Sequence, residues 1–148
     1  MFKFEQDFTD TLRCIPMLVR YKLDTCGIKL KLNHWNQLSR EEKEALVQKP
    51  CSTPTEIEDY RQFLQALVTE KNSNPAEALD IAPNPPWLDT DQLPGSVQDK
   101  AAENGLMITV SQWRSLTNLQ RFALIKLSRA SHENHNFYPA LQEFGLVQ

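Results

Sequence analysis

The sequence predicts a mainly α-helical, small single-domain fold with an internal pseudo-repeat of two helix-turn-helix halves and at most a short two-stranded β ladder. Three observations predict it. One phrase is written twice, as Trp35, Leu38, Ser39, Glu42 and again as Trp113, Leu116, Thr117, Gln120, at a constant offset of 78 residues. The same offset pairs Leu30 with Ile108, Leu32 with Val110, Leu46 with Leu124 and Tyr60 with Tyr138. A hydroxyl residue followed three places on by Glu or Gln is a capping box, in which two side chains satisfy unpaired N–H groups at a helix start. Finally, 4 glycines in 148 residues are too few for a turn-rich all-β chain. The expected organisation is one domain over residues 1–148, with pseudo-repeats at about 28–69 and 106–146 and a Pro-rich connector at about 71–95.

Each element has its own signal. Phe4, Phe8 and Leu12 recur at a spacing of four, the stripe of an N-terminal helix. Pro16 suits the first position of the next helix, where its missing N–H is no loss, and Gly27 is the expected stop. Ile28 to Leu32 alternates apolar residues with lysines and reads as a short extended segment; Met107 to Val110 is its repeat partner, and the two are the expected ladder. Asn33 and Ser111 are candidate N-caps for short turns carrying Trp35 and Trp113. Ser39 and Thr117 then start helices over about 40–48 and 118–129, the second far more apolar and expected at the centre of the fold. Thr53, Pro54 and Glu56 combine an N-cap, a Pro at the first position and a capping box, opening a helix over about 54–69. Its counterpart runs from Phe137 to Phe144 and is ended by Gly145. Between them, Pro75, Pro83, Pro85, Pro86 and Pro94 leave little regular structure, with Trp87 and Leu88 expected to pin the connector to the body. Ser96 to Asp99 starts one further short helix, stopped at Asn104-Gly105.

Composition narrows the function. A net charge of −3 and a pI near 5.6 supply no cationic field for nucleic acid or an acidic membrane. No apolar run approaches the roughly 18 residues that span a bilayer. Three cysteines, an odd number without close pairing, fit a reducing compartment, and the start lacks the pattern of a signal peptide. The expected location is cytoplasmic.

Chemistry is sparse. Cys14, Cys26 and Cys51 form no Cys-x-x-Cys clamp for zinc or an iron–sulfur cluster; Cys26, at a helix end, is expected to be the most accessible. His132-Glu133-Asn134-His135 is the densest polar cluster, but its spacing is not that of the His-Glu-x-x-His zinc motif, and a third ligand would have to come from His34 or Asp24. The plain reading is a helix–helix turn whose side chains bond local backbone. Arg13, Arg20 and Lys22 form one basic set, and Arg121, Lys126 and Arg129 another; if they converge they make an anion-reading pocket. No phosphate loop, nucleophile elbow or Ser–His–Asp set occurs. The expectation is a protein that is not an enzyme, with no cofactor and no metal. Arg13, Arg20, Cys26, Arg121, His132, Glu133 and His135 are the candidates for contact with a partner.

Several strings together resemble one family. They are Phe4-Glu5-Gln6-Asp7-Phe8, Arg13-Cys14-Ile15-Pro16-Met17, Leu23-Asp24-Thr25-Cys26-Gly27-Ile28-Lys29-Leu30, Leu119 to Leu127, and His132-Glu133-Asn134. The chain resembles the small nitrate-reductase-associated proteins of cyanobacteria and some algae, from its N-terminus to Phe144. The resemblance implies a cytoplasmic, non-catalytic accessory factor for assimilatory nitrate reductase, the ferredoxin-dependent enzyme with a molybdopterin cofactor and a 4Fe–4S cluster. It would act in the maturation, assembly or activity of that enzyme, and the nitrate reductase apoprotein is the implied partner. Alternatives are a metal- or cofactor-carrying protein using Cys14, Cys26, His132 and His135, or a stable regulatory subunit of the reductase. The oligomeric state is not legible.

Overall fold

Prolines stand at the start of three helices, at Pro16, Pro54 and Pro94, and left-handed residues end two, at Gly27 and Ser73. The computed structural model describes residues 2–6, 12–81, 83–129 and 134–147, which hold eight α-helices and one two-stranded antiparallel sheet. By their contacts they divide into two compact units, residues 6–81 and residues 2–5 with 83–147.

In the first unit, helix α1 (Met17–Cys26) follows Pro16, which sits in extended geometry just outside the helix and serves as its cap, one position earlier than expected. Gly27 ends it at φ 77°, its N–H bonding Leu23 O at 2.9 Å. Strand β1 (Ile28–Lys29) follows at once. Helices α2 (Leu32–Asn36), α3 (Arg40–Gln48) and α4 (Pro54–Asn72) come next, then strand β2 (Glu77–Ala78). The expected boxes at Ser39/Glu42 and Thr53/Glu56 are both closed in both directions, at 2.8–3.2 Å. Helix α4 runs three residues past its expected end because Ser73 takes the left-handed cap position, with its N–H on Thr69 O.

The ladder has a different partner from the one expected. Ile28 pairs with Ala78 and Lys29 with Glu77, antiparallel, rather than with residues 107–110. The cause is local. Gln65 on α4 accepts the Ala76 N–H at 2.8 Å and donates to the Ala76 carbonyl at 3.0 Å, and this amide clamp delivers residues 77–79 to β1. Leu79 then donates to Gly27 O at 2.8 Å. The expected caps at Asn33 and Ser111 are also displaced. Lys31 and Thr109 hold those positions, and Thr109 forms a complete box with Gln112 at 2.9 and 3.1 Å, drawing Val110 into a helix. The N-terminal stripe falls largely outside the described residues; Lys3–Glu5 form a 3₁₀ turn.

The core of this unit gathers Val19, Ile28, Leu46 and Leu64 around Trp35 and Tyr60, both fully buried. Each large ring keeps its polar atom paired: Trp35 Nε1 donates to Leu12 O at 2.8 Å and Tyr60 Oη to Leu46 O at 2.9 Å.

In the second unit a 3₁₀ turn (Pro86–Leu88) leads to α5 (Gly95–Glu103), α6 (Val110–Ser115), α7 (Asn118–Arg129), a 3₁₀ turn (Asn134–Asn136) and α8 (Phe137–Glu143). Thr117 and Gln120 close the expected box at 2.9 and 3.1 Å. Helix α7 is central here, packing against the 86–88 turn, α5 and α8 with Phe122 through Ile125 buried. Trp87 meets Phe122 edge to face at 5.0 Å, whereas Leu88 stays exposed, so Trp87 alone of the expected pair anchors the connector. Trp113 Nε1 donates to Asp89 O at 2.8 Å. Phe2 and Phe4 lie against Phe144, and Phe4 N–H bonds Glu143 Oε1 at 3.0 Å.

Gly27 and Gly105 both hold left-handed backbone, at φ 77° and 71°, but only the first is crowded. A Cβ on Gly27 would lie 2.9 Å from Ile81 Cγ1 and 3.0 Å from Leu79 O; at Gly105 it would meet nothing within 4 Å. Gly105→Ala should therefore cost only the left-handed strain, about 1–2 kcal/mol. Gly27→Ala should cost about 1–3 kcal/mol more through overpacking. Urea unfolding followed by circular dichroism measures both, and equal losses would contradict the close approach at Gly27.

Candidate functional site

A lysine on the apolar stripe of a helix must find partners or leave the core. Lys22 lies between Val19 and Cys26 on that stripe of α1 and is only 8% exposed. Its Nζ donates to Val47 O and Lys49 O, both at 2.6 Å, where α3 runs out of intrahelical partners. The ammonium also lies 5.6 Å from the centre of the Tyr60 ring. Burial pulls its pKa below the ordinary lysine value, opposed by the neighbouring Cys51 thiol.

Arg121 does the same work in the second unit. It is 5% exposed on α7, and its Nε donates to Trp87 O at 2.7 Å. Its Nη1 donates to Trp113 O at 3.2 Å and Leu116 O at 2.5 Å, at the end of α6; Nη2 reaches Asn118 Oδ1. The guanidinium thus closes the helix end and ties the Pro-rich connector to it in one stroke. A fork engaged in this way is not presented to an outside anion.

The other candidates fall apart from one another in role. Arg20 is half-buried with Nε on Ile15 O at 3.1 Å, and Arg13 is exposed, both in the first unit. His135 is exposed in the second unit, while His132 and Glu133 lie outside the described residues. Cys26, expected to be the accessible thiol, is 1% exposed: it lies in the core cluster with Trp35, Tyr60 and Leu64, and its Sγ donates to Leu23 O at 3.7 Å. Burial, with nearby Cys51, pushes its pKa up to about 12, so the thiol stays protonated. Cys51 is also buried, its Sγ 3.9 Å from Lys22 O, and is raised by burial as well; Cys14 is the half-buried one of the three free cysteines.

Among the described residues no group of three or more His, Cys, Asp and Glu is placed to hold a metal ion, and no helix is long and apolar enough to cross a membrane. An open groove of about 490 Å³ in the second unit is lined by Asn84, Pro85, Pro86, Leu88 and Asp89, a single carboxylate among apolar walls. The buried cations Lys22 and Arg121 thus spend their charge on holding backbone. The profile of a family described as conserved nitrate reductase-associated protein matches residues 1–144. The chain belongs to that family. No curated relative and no solved structure matches it.

Lys22 and Arg121 were expected within two basic sets able to read an anion; the structure buries both, and the sequence carries a signal for it. Lys22 has buried residues three before and four after it, and Arg121 is flanked by the apolar run 122–125. Lys22 also gives a pH signature. Because its folded pKa is depressed, the unfolded chain binds more protons in the window just below 10.5, so the lysine's contribution to stability rises with pH there. The stability difference between the native protein and Lys22→Met should therefore grow as pH climbs toward that value. Urea unfolding at several alkaline pH values measures it, and a flat difference would contradict the burial.

Proposed function

We propose that this protein is a non-catalytic accessory factor that binds assimilatory nitrate reductase and acts in its maturation or assembly, or in its activity. The observation that carries the reading is the family match over residues 1–144, whose description states association with nitrate reductase. Two features support a binding rather than a bond-making role. The buried cations Lys22 and Arg121 are engaged by backbone carbonyls, and the thiols of Cys26 and Cys51 are buried with raised pKa values. What the units present outward is helix surface and a few exposed apolar side chains, among them Met107 and Tyr138. Three free cysteines support action in a reducing compartment such as the cytoplasm.

Arg13, Arg20 and His135 are proposed as peripheral contributors to the contact. Cys26 and Arg121 act from inside their units, Arg121 as the clamp that shapes the surface.

The reading is tested by capture of nitrate reductase apoprotein on the immobilised protein, beside reductase activity and metal content in cells with and without it. Association together with reduced activity in its absence is expected. Normal activity without the protein and no association would overturn the proposal. Reduced activity with normal metal loading would keep the accessory role and move it from cofactor insertion to regulation.

A further inference from the structure

The turn after α1 and the turn after α5 are built alike but finished differently. Each begins with a left-handed glycine, Gly27 or Gly105, 78 residues apart. Each continues with the same alternation. Ile28 is fully buried, Lys29 exposed and Leu30 half-buried; Leu106 is half-buried, Met107 exposed and Ile108 buried. In the first unit this edge is covered. Leu79 N–H bonds Gly27 O, Ala78 pairs with Ile28, and Glu77 lies opposite Lys29 with their charged ends 4.0 Å apart. In the second unit no described residue pairs with it. The carbonyl of Gly105 and both backbone groups of Met107 make no hydrogen bond among the described residues, and Met107 is 80% exposed.

An uncovered edge with a large apolar side chain is a template for strand addition, in which main-chain bonds supply affinity and alternate side chains supply selectivity. The covered edge shows what kind of segment such an edge accepts: a short extended piece, itself exposed, with the small residue Ala78 opposite the buried Ile28. The outward position differs in charge. Where Lys29 faces Glu77, the open edge offers Met107, which selects an apolar residue rather than an acid.

We propose that Gly105–Ile108 is the docking edge for nitrate reductase, taking a short extended apolar segment of the reductase by antiparallel main-chain pairing. This deepens the proposed function and rests on it. The chemistry asks of that segment free N–H and C=O groups, a small residue opposite Leu106 and an apolar one opposite Met107.

The test measures binding of the full-length protein to immobilised reductase apoprotein, for the native chain, Met107→Pro and Met107→Lys, with amide hydrogen exchange on the native complex. Met107→Pro removes an N–H that has no partner here; Met107→Lys keeps the N–H and alters only an exposed side chain, so it decides alone if the proline variant fails to fold. The expected result is binding by the native chain, slowed exchange at Met107 and Ile108 in the complex, and at least about tenfold weaker binding for each folded variant. Native binding that both variants retain, without slowed exchange at those amides, overturns the docking edge and leaves the accessory role standing. No binding by the native chain overturns both.

Discussion

A buried cation closing the carbonyl end of a helix is the interaction on which each unit depends. The last four carbonyls of a helix have no partner within it, and an unpaired buried carbonyl costs about 1–3 kcal/mol. Lys22 meets this need for α3 through Val47 O and Lys49 O; Arg121 meets it for α6 through Trp113 O and Leu116 O. Much then follows from these clamps. Closing the end of α3 places Leu46 O, and with it Tyr60, whose hydroxyl donates there. Closing the end of α6 fixes Trp113 against Asp89 O and holds Trp87 over Phe122, so a segment rich in proline acquires a defined path.

We propose that the two units descend from one, and the clamps illustrate why. At the constant offset Lys22 corresponds to Lys100 and Lys43 to Arg121. The first unit buries the earlier cation and lays the later one over an aromatic ring, Lys43 Nζ being 5.5 Å from the centre of Trp35. The second unit buries the later cation and gives the earlier one a surface partner, Lys100 reaching Glu103 at 3.5 Å. Pro16 and Pro94 cap their helices in matching geometry, and the indoles of Trp35 and Trp113 each donate to a carbonyl 23 or 24 residues upstream. One requirement is met by opposite choices, which is what divergence of a shared frame would leave behind.

Local chemistry made most helices legible. The boxes at Ser39, Thr53 and Thr117 and the stop at Gly27 are decided within four residues of chain, and sequence contains all of that information. What it did not reveal was settled at longer range. The partner of Ile28 was chosen by Gln65, 11 residues from Ala76 along the chain, and nothing in the alternation of residues 28–32 encodes that clamp. Cys26 read as accessible because a helix end is usually open; it is buried in the core with Trp35, Tyr60 and Leu64, which only the fold brings together. Lys22 and Arg121 read as members of basic sets open to an anion because such residues usually lie at the surface, and their apolar flanks argued otherwise. Of the residues expected to meet a partner, the structure leaves Arg13 and His135 at the surface and turns Cys26 and Arg121 inward, while Met107, unremarked for its side chain, stands most open.

The buried charges of Lys22 and Arg121 thus serve architecture, and we propose that recognition falls to edges and exposed apolar side chains. The central claim is that the buried guanidinium holds the second unit together. The measurement that tests this most directly is the unfolding free energy of Arg121→Leu, which keeps apolar volume and removes every donor. A loss on the order of 3 kcal/mol, with Trp87 released to solvent in fluorescence, is the predicted result. Stability within about 0.5 kcal/mol of the native protein, with unchanged fluorescence, would contradict it.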